Sequence, residues 1–594
     1  MINEKNKLYK ARNVMSSSLV KTALAASLLL SGMTGVVGPI ESSSGIFGEN
    51  FLITQAEAAE VSYSNWITGS GQHSLILKAD GTVWTAGRNN YGALGNGIGN
   101  NNLGEREFKK VSGIDDVSFV AAGESFNLVI KKDGTVWSWG YNSFGQLGDG
   151  TSSGTNSKGT PVPVVGIDNV VGVDGGNLHS LAVKKDGTVW AWGNNGNSQL
   201  GDGTTTNRST PVQVPGLTDV IQVKASDSFS LALKKDGTVW AWGNNRYGFL
   251  GDGTTTNRKV PVQVTGLTDI KSIDTTFNHS LALKSDGTVW VWGLNNEGQL
   301  GNGIVTNGST PNSRPFQVPG LTNIKEIMAQ NLRSFALKND GTLWGWGNNM
   351  NGELGDGTKV LQKTPVQTIG IGKIHSMGGG DRHTFVITED LRTYTWGYNS
   401  YGQLGIGTAS SVQSPTFIDI YLDESVKLNE DIAIATASVA KAEGSKLQAD
   451  VDASSLLVNL LPDSTEKTNL TNRLNVVQKA IDDAKALAVQ VETATTAVVK
   501  AEGSKLQADV TAARTLVNAL PTGTEKTSLT NRLNVVQKAI DDAKALAVQV
   551  ETATTAVVKA EGSKLQADVT AARTLVNALP TGTEKTSLTN RLNV

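Results

Sequence analysis

Residues 176–201 read GNLHSLAVKKDGTVWAWGNNGNSQLG, and most of the chain is built from units like this one. Apolar and polar residues alternate on both sides of Asp186-Gly187, as is typical of half-buried strands. Asp-Gly supplies the positive φ that a tight hairpin turn requires. The segment therefore predicts a β-hairpin followed by a loop rich in Gly and Asn.

The same hairpin recurs along the chain. Asp-Gly-Thr, then Val or Leu and then Trp, occurs six times, and a seventh copy is degenerate. The Asp residues lie 50 to 54 positions apart, at Asp80, Asp133, Asp186, Asp236, Asp286, Asp340 and Asp390. A period of about 50 residues is that of a four-stranded propeller blade. The sequence therefore predicts an all-β seven-bladed β-propeller over residues 61–421.

The fourth repeat shows most clearly how each unit divides into strands. Its predicted strands are Val220–Ala225, Phe229–Lys234, Thr238–Trp242 and Pro261–Val264. In five repeats the third strand carries two Trp residues two positions apart, which places both rings on one face of the sheet. We expect these rings to pack between neighbouring blades: Trp137 and Trp139, Trp190 and Trp192, Trp240 and Trp242, Trp290 and Trp292, Trp344 and Trp346.

Closure of the ring can also be predicted. A first-strand segment at 61–68 opens the first repeat, and a fourth-strand segment at 415–420 ends the seventh. We expect a closing blade that combines both segments, because such a blade leaves no open sheet edge. Other closures are compatible with the same sequence.

The composition excludes several classes of protein. With 66 Gly and 13 Trp but only 18% charged residues, the chain is typical of turn-rich β structure rather than of disorder. The net charge of -2 gives no basic excess for nucleic acid. Cysteine is absent, which excludes disulfides, thiolate metal sites and a cysteine nucleophile.

The repeat resembles that of the regulator-of-chromosome-condensation family. The copies that carry the resemblance best are Gly176–Gly201 and His279–Gly301, and the similarity extends over about 360 residues in seven consecutive copies. It implies a propeller and says less about function, because one fold hosts many functions. Members of the family include a nuclear exchange factor for a small GTPase and a secreted bacterial propeller that inhibits β-lactamases.

The N-terminus predicts export. Four basic residues between Lys5 and Arg12 precede an apolar run over 19–37, and Ala56-Glu57-Ala58 fits a cleavage site. We therefore expect an export signal and leader at 1–58, with an uncleaved membrane anchor as the alternative. Export makes a nuclear exchange activity an unfavoured interpretation.

A candidate binding face follows from the predicted strand order. The turns between first and second strands and the loops between third and fourth strands lie on one side, and their residues vary from repeat to repeat. A constant framework with variable aromatic and Arg residues is typical of a protein-binding surface. The predicted partner-binding residues are Tyr91, Phe144, Arg246, Tyr247, Phe277 and Tyr401.

Chemistry at the repeated histidine position is not expected. The position accepts Phe126, Phe229 and Arg333 as well as histidine, which is typical of a structural residue. Its histidines lie in blades too far apart for shared metal ligation. No paired-carboxylate, zinc or phosphate-loop motif is present, so we predict no catalytic residue, metal or cofactor. The histidines are His73, His179, His279 and His383.

After Tyr421 the composition changes and no aromatic residue follows. A 59-residue repeat begins, marked by Ala-Glu-Gly-Ser-Lys at Ala442, Ala501 and Ala560. Apolar residues at helical spacing predict three helices per unit, over 428–443, from 445 to before Pro462, and from 465 towards 486. The sequence therefore predicts an all-α domain of tandem three-helix repeats over 425–594, with a truncated last copy.

The helical units resemble Ala-rich modules of surface and toxin-associated proteins of Gram-positive bacteria. That resemblance implies a spacer, and a carbohydrate-binding or wall-associated module is the alternative. For the whole chain we expect a secreted or cell-surface propeller that binds an extracellular protein or a cell-wall component. The alternatives are an inhibitor of an extracellular enzyme such as a β-lactamase, and a glycan-binding or carbohydrate-active protein. No nucleic-acid partner is expected, and contact with a membrane is expected only through the export signal.

Overall fold

The computed structural model describes residues 66–98, 101–152, 157–306 and 311–593, and the predicted export signal and leader lie outside this range. The described chain divides into a β unit that ends at Lys427 and a helical unit that begins at Leu428. Seven four-stranded antiparallel sheets form the β unit, and seven helices follow. The predicted fold class, a seven-bladed β-propeller followed by an all-α region, is confirmed.

Each blade is one sheet with its four strands in chain order. Blades 1 and 2 comprise β1 (Ile67–Gly69), β2 (His73–Leu77), β3 (Val83–Asn89), β4 (Asn101–Lys110), β5 (Val117–Ala122), β6 (Phe126–Lys131), β7 (Val136–Gly140) and β8 (Lys158–Pro163). Blades 3 and 4 comprise β9 (Val170–Gly175), β10 (His179–Lys184), β11 (Val189–Gly193), β12 (Arg208–Gln213), β13 (Val220–Ala225), β14 (Phe229–Lys234), β15 (Val239–Gly243) and β16 (Arg258–Gln263). Blades 5 to 7 comprise β17 (Ile270–Thr275), β18 (His279–Lys284), β19 (Val289–Gly293), β20 (Asn312–Gln317), β21 (Ile324–Gln330), β22 (Arg333–Lys338), β23 (Leu343–Gly347), β24 (Gln362–Gln367), β25 (Ile374–Gly380), β26 (His383–Thr388), β27 (Thr393–Gly397) and β28 (Val412–Ile418).

The Asp-Gly turns set the register of the central hairpin in each blade. In blade 4, Gly237 adopts a φ of +79°. The carboxylate of Asp236 accepts hydrogen bonds from the Thr238 amide (3.0 Å) and hydroxyl (2.6 Å). This turn places Ala232 opposite Trp240, as the alternation of the sequence requires.

A tryptophan joins each of blades 2 to 7 to the blade before it. These rings are fully buried, and each indole N–H donates to a carbonyl of the preceding blade, as in the 2.8 Å bond from Trp242 to Gln199. The rings are Trp139, Trp192, Trp242, Trp292, Trp346 and Trp396. The first Trp of each predicted pair lies on the same face, near the Asp-Gly end, and is only partly buried. The predicted packing between blades is therefore confirmed fully for the second ring of each pair and partly for the first.

The predicted closing blade with strands from both ends of the propeller is wrong. β1 pairs with β2 and β28 pairs with β27, so blades 1 and 7 are each complete. The ring closes instead by packing of these two blades, and the Ala79 amide donates to the Leu422 carbonyl (2.8 Å). The two sheets meet face to face, as in the other six interfaces.

The interface between blades 7 and 1 has its own side chains. Blade 1 has Ala86 at the position of the joining tryptophan, and β4 has Phe108 where the register places Pro in the other blades. Phe108 packs against Phe385 with ring centroids 6.1 Å apart, and it lies against Gly405. Phe108 thus fills the space that a tryptophan occupies elsewhere.

The helical unit comprises α1 (Glu424–Ser445), α2 (Gln448–Leu460), α3 (Thr465–Ser504), α4 (Gln507–Ala519), α5 (Thr524–Ser563), α6 (Gln566–Ala578) and α7 (Thr583–Leu592). The predicted end of the third helix near 486 is wrong, because α3 continues without a break to Ser504. No Gly or Pro interrupts residues 465–502, and their Ala-rich sequence favours continuous helix. α3 and α5 are therefore each about 60 Å long, and each serves two successive three-helix cores.

Three helices still form each core, as predicted. In the second core, Val498 at the end of α3 packs with Val510 and Val517 of α4 and with Leu529 and Leu533 of α5. Among the described residues, none of the helices combines the length and the apolarity that crossing a bilayer requires.

Candidate partner-binding face

The propeller has two unlike faces. The turns that join first to second strands and the loops that join third to fourth strands lie on one side, which we call the variable-loop face. The Asp-Gly hairpins and the connections between blades lie on the other side. There the Lys235 amide of blade 4 donates to the Asp219 carbonyl (2.8 Å), and the Lys185 amide of blade 3 donates to the Asn169 carbonyl (2.9 Å). The structure thus gives the sidedness that the strand order predicts.

An asparagine holds each loop of this face in shape. In blade 4 the Asn245 side chain accepts from the Leu250 amide (3.0 Å) and donates to Asp252 (3.0 Å). Asp252 also accepts from Arg258 (2.8 Å) and Thr254 (2.8 Å). The carboxylates of the Gly-Asp-Gly-Thr segments are therefore used to build the loop, and the two residues after the asparagine are left to vary.

The structure places all six predicted residues on this face. Tyr91 is 39% exposed and Arg246 is also exposed, whereas Phe144, Tyr247, Phe277 and Tyr401 are partly buried. The six do not form a single cluster. They fall in different sectors of the ring, and two sectors contain packed aromatic and Arg side chains.

One cluster belongs to blade 4. The Arg246 guanidinium lies over the Tyr247 ring at 5.1 Å, and Tyr247 packs against Phe249 at 5.7 Å. Phe249 in turn stacks on the buried Phe229 at 5.1 Å. Phe277 lies in the turn of blade 5 and Phe144 in the loop of blade 2, outside these ring contacts.

The second cluster spans blades 7, 1 and 2 and contains residues that were not predicted. Tyr91 contacts Tyr141 of the next blade, with centroids 4.5 Å apart. Tyr401 contacts Tyr398 at 6.4 Å and lies beneath Arg88 of blade 1 at 4.7 Å. The Arg382 guanidinium lies over Tyr398 at 5.7 Å. We call this set the closure-sector patch: Arg88, Tyr91, Tyr141, Arg382, Tyr398 and Tyr401.

A signal for the missed residues is present in the sequence. Arg88, Tyr141 and Tyr398 each directly follow the Gly that recurs in the third strand of every blade, and this position varies between blades. The loop of one blade lies over the outer strand of the next, so that a Cβ at Gly104 would meet the Tyr401 carbonyl oxygen at 2.2 Å. This overlap brings Tyr401 to Arg88, which a single repeat does not reveal.

Two carboxyl groups meet beside the patch. Glu124 of blade 2 and Asp381 of blade 7 hydrogen-bond to each other, and Gly71 of blade 1 lies between them, where a Cβ would stand 3.0 Å from Asp381 Oδ2 and 3.2 Å from Glu124 Oε1. Burial and the neighbouring Asp381 raise the pKa of Glu124 to about 8. The pair therefore holds one proton at neutral pH and carries about one negative charge.

The repeated histidines are buried at blade interfaces. His179 Nε2 lies 2.9 Å from Ser230 Oγ, and the Ser230 hydroxyl donates to the Gln199 carbonyl (2.8 Å), so the histidine is the donor. His279 and His383 contact Ser334 and Ser74 in the same way (2.7 Å each). Burial lowers the pKa of these three histidines to about 3, so they are neutral. Across the described residues, no three His, Cys, Asp or Glu side chains are arranged to hold a metal ion.

Comparison with known proteins agrees with the geometry. Residues 154–445 match the RCC1-like domain, and residues 67–93 and 117–146 match the regulator of chromosome condensation (RCC1) repeat. The ultraviolet-B receptor UVR8 of Arabidopsis thaliana is 33% identical over 142 residues, which cover 23% of this chain and 31% of that protein. The minor extracellular protease Epr of Bacillus subtilis is 40% identical over 163 residues, which cover 27% of this chain and 22% of the protease. The chain spans about a third or less of the length of the curated relatives it matches.

Solved structures show the same fold. Human WBSCR16 superposes with a TM-score of 0.51 at 21% identity, over 57% of this chain and 94% of that protein. Prp20p of Saccharomyces cerevisiae superposes with a TM-score of 0.52 at 24% identity, over 58% of this chain and 88% of that protein. With seven blades, the repeated Asp-Gly hairpin and these matches, the propeller of this chain belongs to the regulator of chromosome condensation (RCC1) repeat family.

Proposed function

We propose that this chain is an interaction protein whose propeller binds a partner protein through the variable-loop face. The observation that carries the proposal is the clustering of aromatic and Arg side chains on that face, on loops whose backbone is held in every blade by an Asn side chain. Rigid loops with Tyr and Arg anchors reduce the conformational entropy lost on binding. The opposite face, with Asp-Gly turns in six of its seven blades, offers less variety for recognition.

Binding accounts for the side chains better than catalysis does. The repeated histidines are buried and hydrogen-bonded within the ring. Glu124 and Asp381 are in direct hydrogen-bond contact, whereas the paired carboxyls of glycosidases stand about 5–9.5 Å apart. These groups stabilise the fold and shape the face.

We further propose that the chain acts outside the cell, with the helical unit as a spacer. The basic and apolar N-terminal segments support export. The similarity to a protease whose name describes it as extracellular adds support. Inhibition of an extracellular enzyme is the sharper form of the same proposal, since a few protruding anchors on one face suit the blocking of an active site.

Affinity capture from culture supernatant and cell-wall extract tests the face. The bait is the full chain, compared with a variant in which Tyr91, Tyr247, Phe277 and Tyr401 are changed to Ala. The control changes three exposed lysines of the opposite face to Ala: Lys132, Lys185 and Lys235. A protein captured by the wild type and the lysine control but not by the face variant supports the proposal. Equal capture by all three baits, or loss only in the lysine control, contradicts it.

A further inference from the structure

The closure-sector patch differs in kind from the neighbouring sectors of the same face. Elsewhere, polar side chains of adjacent blades bind one another: Asn177 donates to Asp227 (2.6 Å), and Asn278 donates to Asn331 (3.0 Å). Their hydrogen-bonding groups are thereby engaged within the protein. In the closure sector the corresponding positions carry Asp381 and Glu124, which hydrogen-bond to each other, and the neighbouring loops add tyrosine rings and guanidinium groups.

The arrangement of the two arginines indicates what the patch recognises. Arg88 covers Tyr401 at 4.7 Å and also donates to the Gln72 side chain (2.5 Å). Arg382 covers Tyr398 at 5.7 Å and is exposed. Stacking holds the exposed Arg382 guanidinium plane in place on the ring, and such planes match the geometry of a carboxylate.

The net charge of the closure sector also favours a carboxylate as the ligand. Arg88 and Arg382 contribute two positive charges, against about one negative charge on the pair Glu124–Asp381. The Tyr91–Tyr141 pair, in the loops that follow the third strands of blades 1 and 2, adds apolar surface to the same face. An acidic side chain beside an apolar one therefore complements the patch, and a basic one does not.

We propose that the closure-sector patch is the docking point on the variable-loop face, and that the partner inserts a protein loop bearing an Asp or Glu carboxylate beside an apolar side chain. This inference rests on the proposed function and refines it, because it selects one sector of the ring and one chemistry of the partner.

Fluorescence anisotropy with synthetic peptides tests the chemistry. The probes are labelled eight-residue peptides with Asp or Glu beside Leu or Tyr, their Asn and Gln counterparts, and their Lys counterparts. We expect the full chain to bind the acidic peptides at least ~10-fold more tightly than the amide peptides, with weaker binding at higher salt. Equal binding of acidic and amide peptides overturns the proposal, as does the absence of binding up to about 1 mM peptide.

Matched arginine variants test the location. Arg88→Gln/Arg382→Gln is expected to lose ~10-fold or more in affinity for the acidic peptides. Arg246→Gln removes an arginine that is also stacked on a tyrosine, but in blade 4, and it reports whether that sector takes the acidic peptides. The control is Arg314→Gln, which removes an exposed arginine of blade 5 outside both clusters and is expected to bind like the wild type. If only Arg246→Gln loses affinity for the acidic peptides, the closure-sector assignment is overturned. It is also overturned if soluble cell-wall glycan displaces the labelled acidic peptide at lower concentrations than unlabelled peptide does.

The capture experiment separates this inference from the proposed function. If the Arg88→Gln/Arg382→Gln bait still captures a protein that an Arg246→Ala/Tyr247→Ala bait loses, the variable-loop face stands and the closure sector does not. If neither bait loses a protein that the wild type captures, both proposals fail.

Discussion

Arg333 donates a hydrogen bond of 2.9 Å to Glu353, with both side chains buried, and this ion pair exists only in blade 6 of the described ring. The two positions lie 20 residues apart in every blade. Blades 3, 5 and 7 carry His and Gln there, and blade 4 carries Phe229 and Phe249, which stack. Blade 1 combines His73 with Ala93 and blade 2 combines Phe126 with Gln146, so the two positions form a contacting pair in blades 4 and 6.

Breaking the pair in blade 6 tests this matching. Glu353→Gln leaves the Arg333 charge buried without its partner, and we expect a loss of about 3–5 kcal/mol in the free energy of unfolding. Arg333→His/Glu353→Gln, which installs the residues of blades 3, 5 and 7, is expected to recover most of that loss. A double-mutant cycle measured by chemical denaturation gives the coupling, and a double variant as unstable as the single one would show that the positions are not matched.

The buried histidines predict a loss of stability in acid. Burial lowers the pKa of His179 to about 3 in the folded protein, below the value of about 6.5 of an unfolded chain. Between these values the unfolded chain binds the proton and the folded chain does not, so stability falls as the pH decreases from about 6.5 to 3. His179→Phe is expected to reduce this slope, and Phe fits because Phe126 and Phe229 fill the same position. Thermal unfolding of both proteins from pH 4 to 7 measures it, and identical slopes would contradict it.

The carboxyl pair predicts the opposite trend. Burial and Asp381 raise the pKa of Glu124 above its ordinary value to about 8, and Arg382 and the Gly71 amide are the groups that oppose this rise. Protons are thus bound more tightly in the folded state, so stability decreases as the pH rises from about 4.5 to 8. Glu124→Gln keeps the hydrogen bond without the titration and is expected to flatten the decrease. Melting temperatures between pH 5 and 9 test it, with Asp227→Asn as a control on a carboxylate of the same face.

The interface between blades 7 and 1 predicts where the ring opens. Phe108→Ala removes the ring that packs on Phe385, and we expect a loss of about 3–5 kcal/mol, as for other large-to-small core changes. Hydrogen exchange should increase first in β2 and β26, on either side of this interface. Ala86→Trp/Phe108→Pro restores the residues of the other interfaces and is expected to regain protection. Uniform exchange in all blades of Phe108→Ala would contradict this prediction.

The fold could be predicted because its determinants are local and repeated. Asp-Gly turns, alternating strands and paired Trp recur at a fixed period, so each blade is specified within about 50 residues. Most of the closure-sector patch could not be predicted in this way. Arg88 meets Tyr401, 313 positions away, only because the ring closes. Tyr141 and Tyr398 follow a strand and were not recognised as surface residues.

Two further differences have the same origin. The closing interface depends on Ala86 and Phe108, whose complementary departures from the repeat are visible only once the strand register is known. The length of α3 depends on the absence of a break near 486, where the apolar spacing predicted the end of the third helix. In both places the repeat pattern describes the units correctly and the junctions between units incompletely.

Each blade consists of one uninterrupted chain segment, and this has a consequence for how such a ring changes during evolution. An in-frame duplication or exchange of about 50 codons moves a whole sheet, with its Trp on one side and the carbonyl that receives the next Trp on the other. Blades 2 to 7 are interchangeable in this sense. Blade 1 is not, because Ala86 and Phe108 make its interface with blade 7 different from the other six. Recombination that removed blade 1 would leave blade 7 without the Phe108 ring that packs against Phe385.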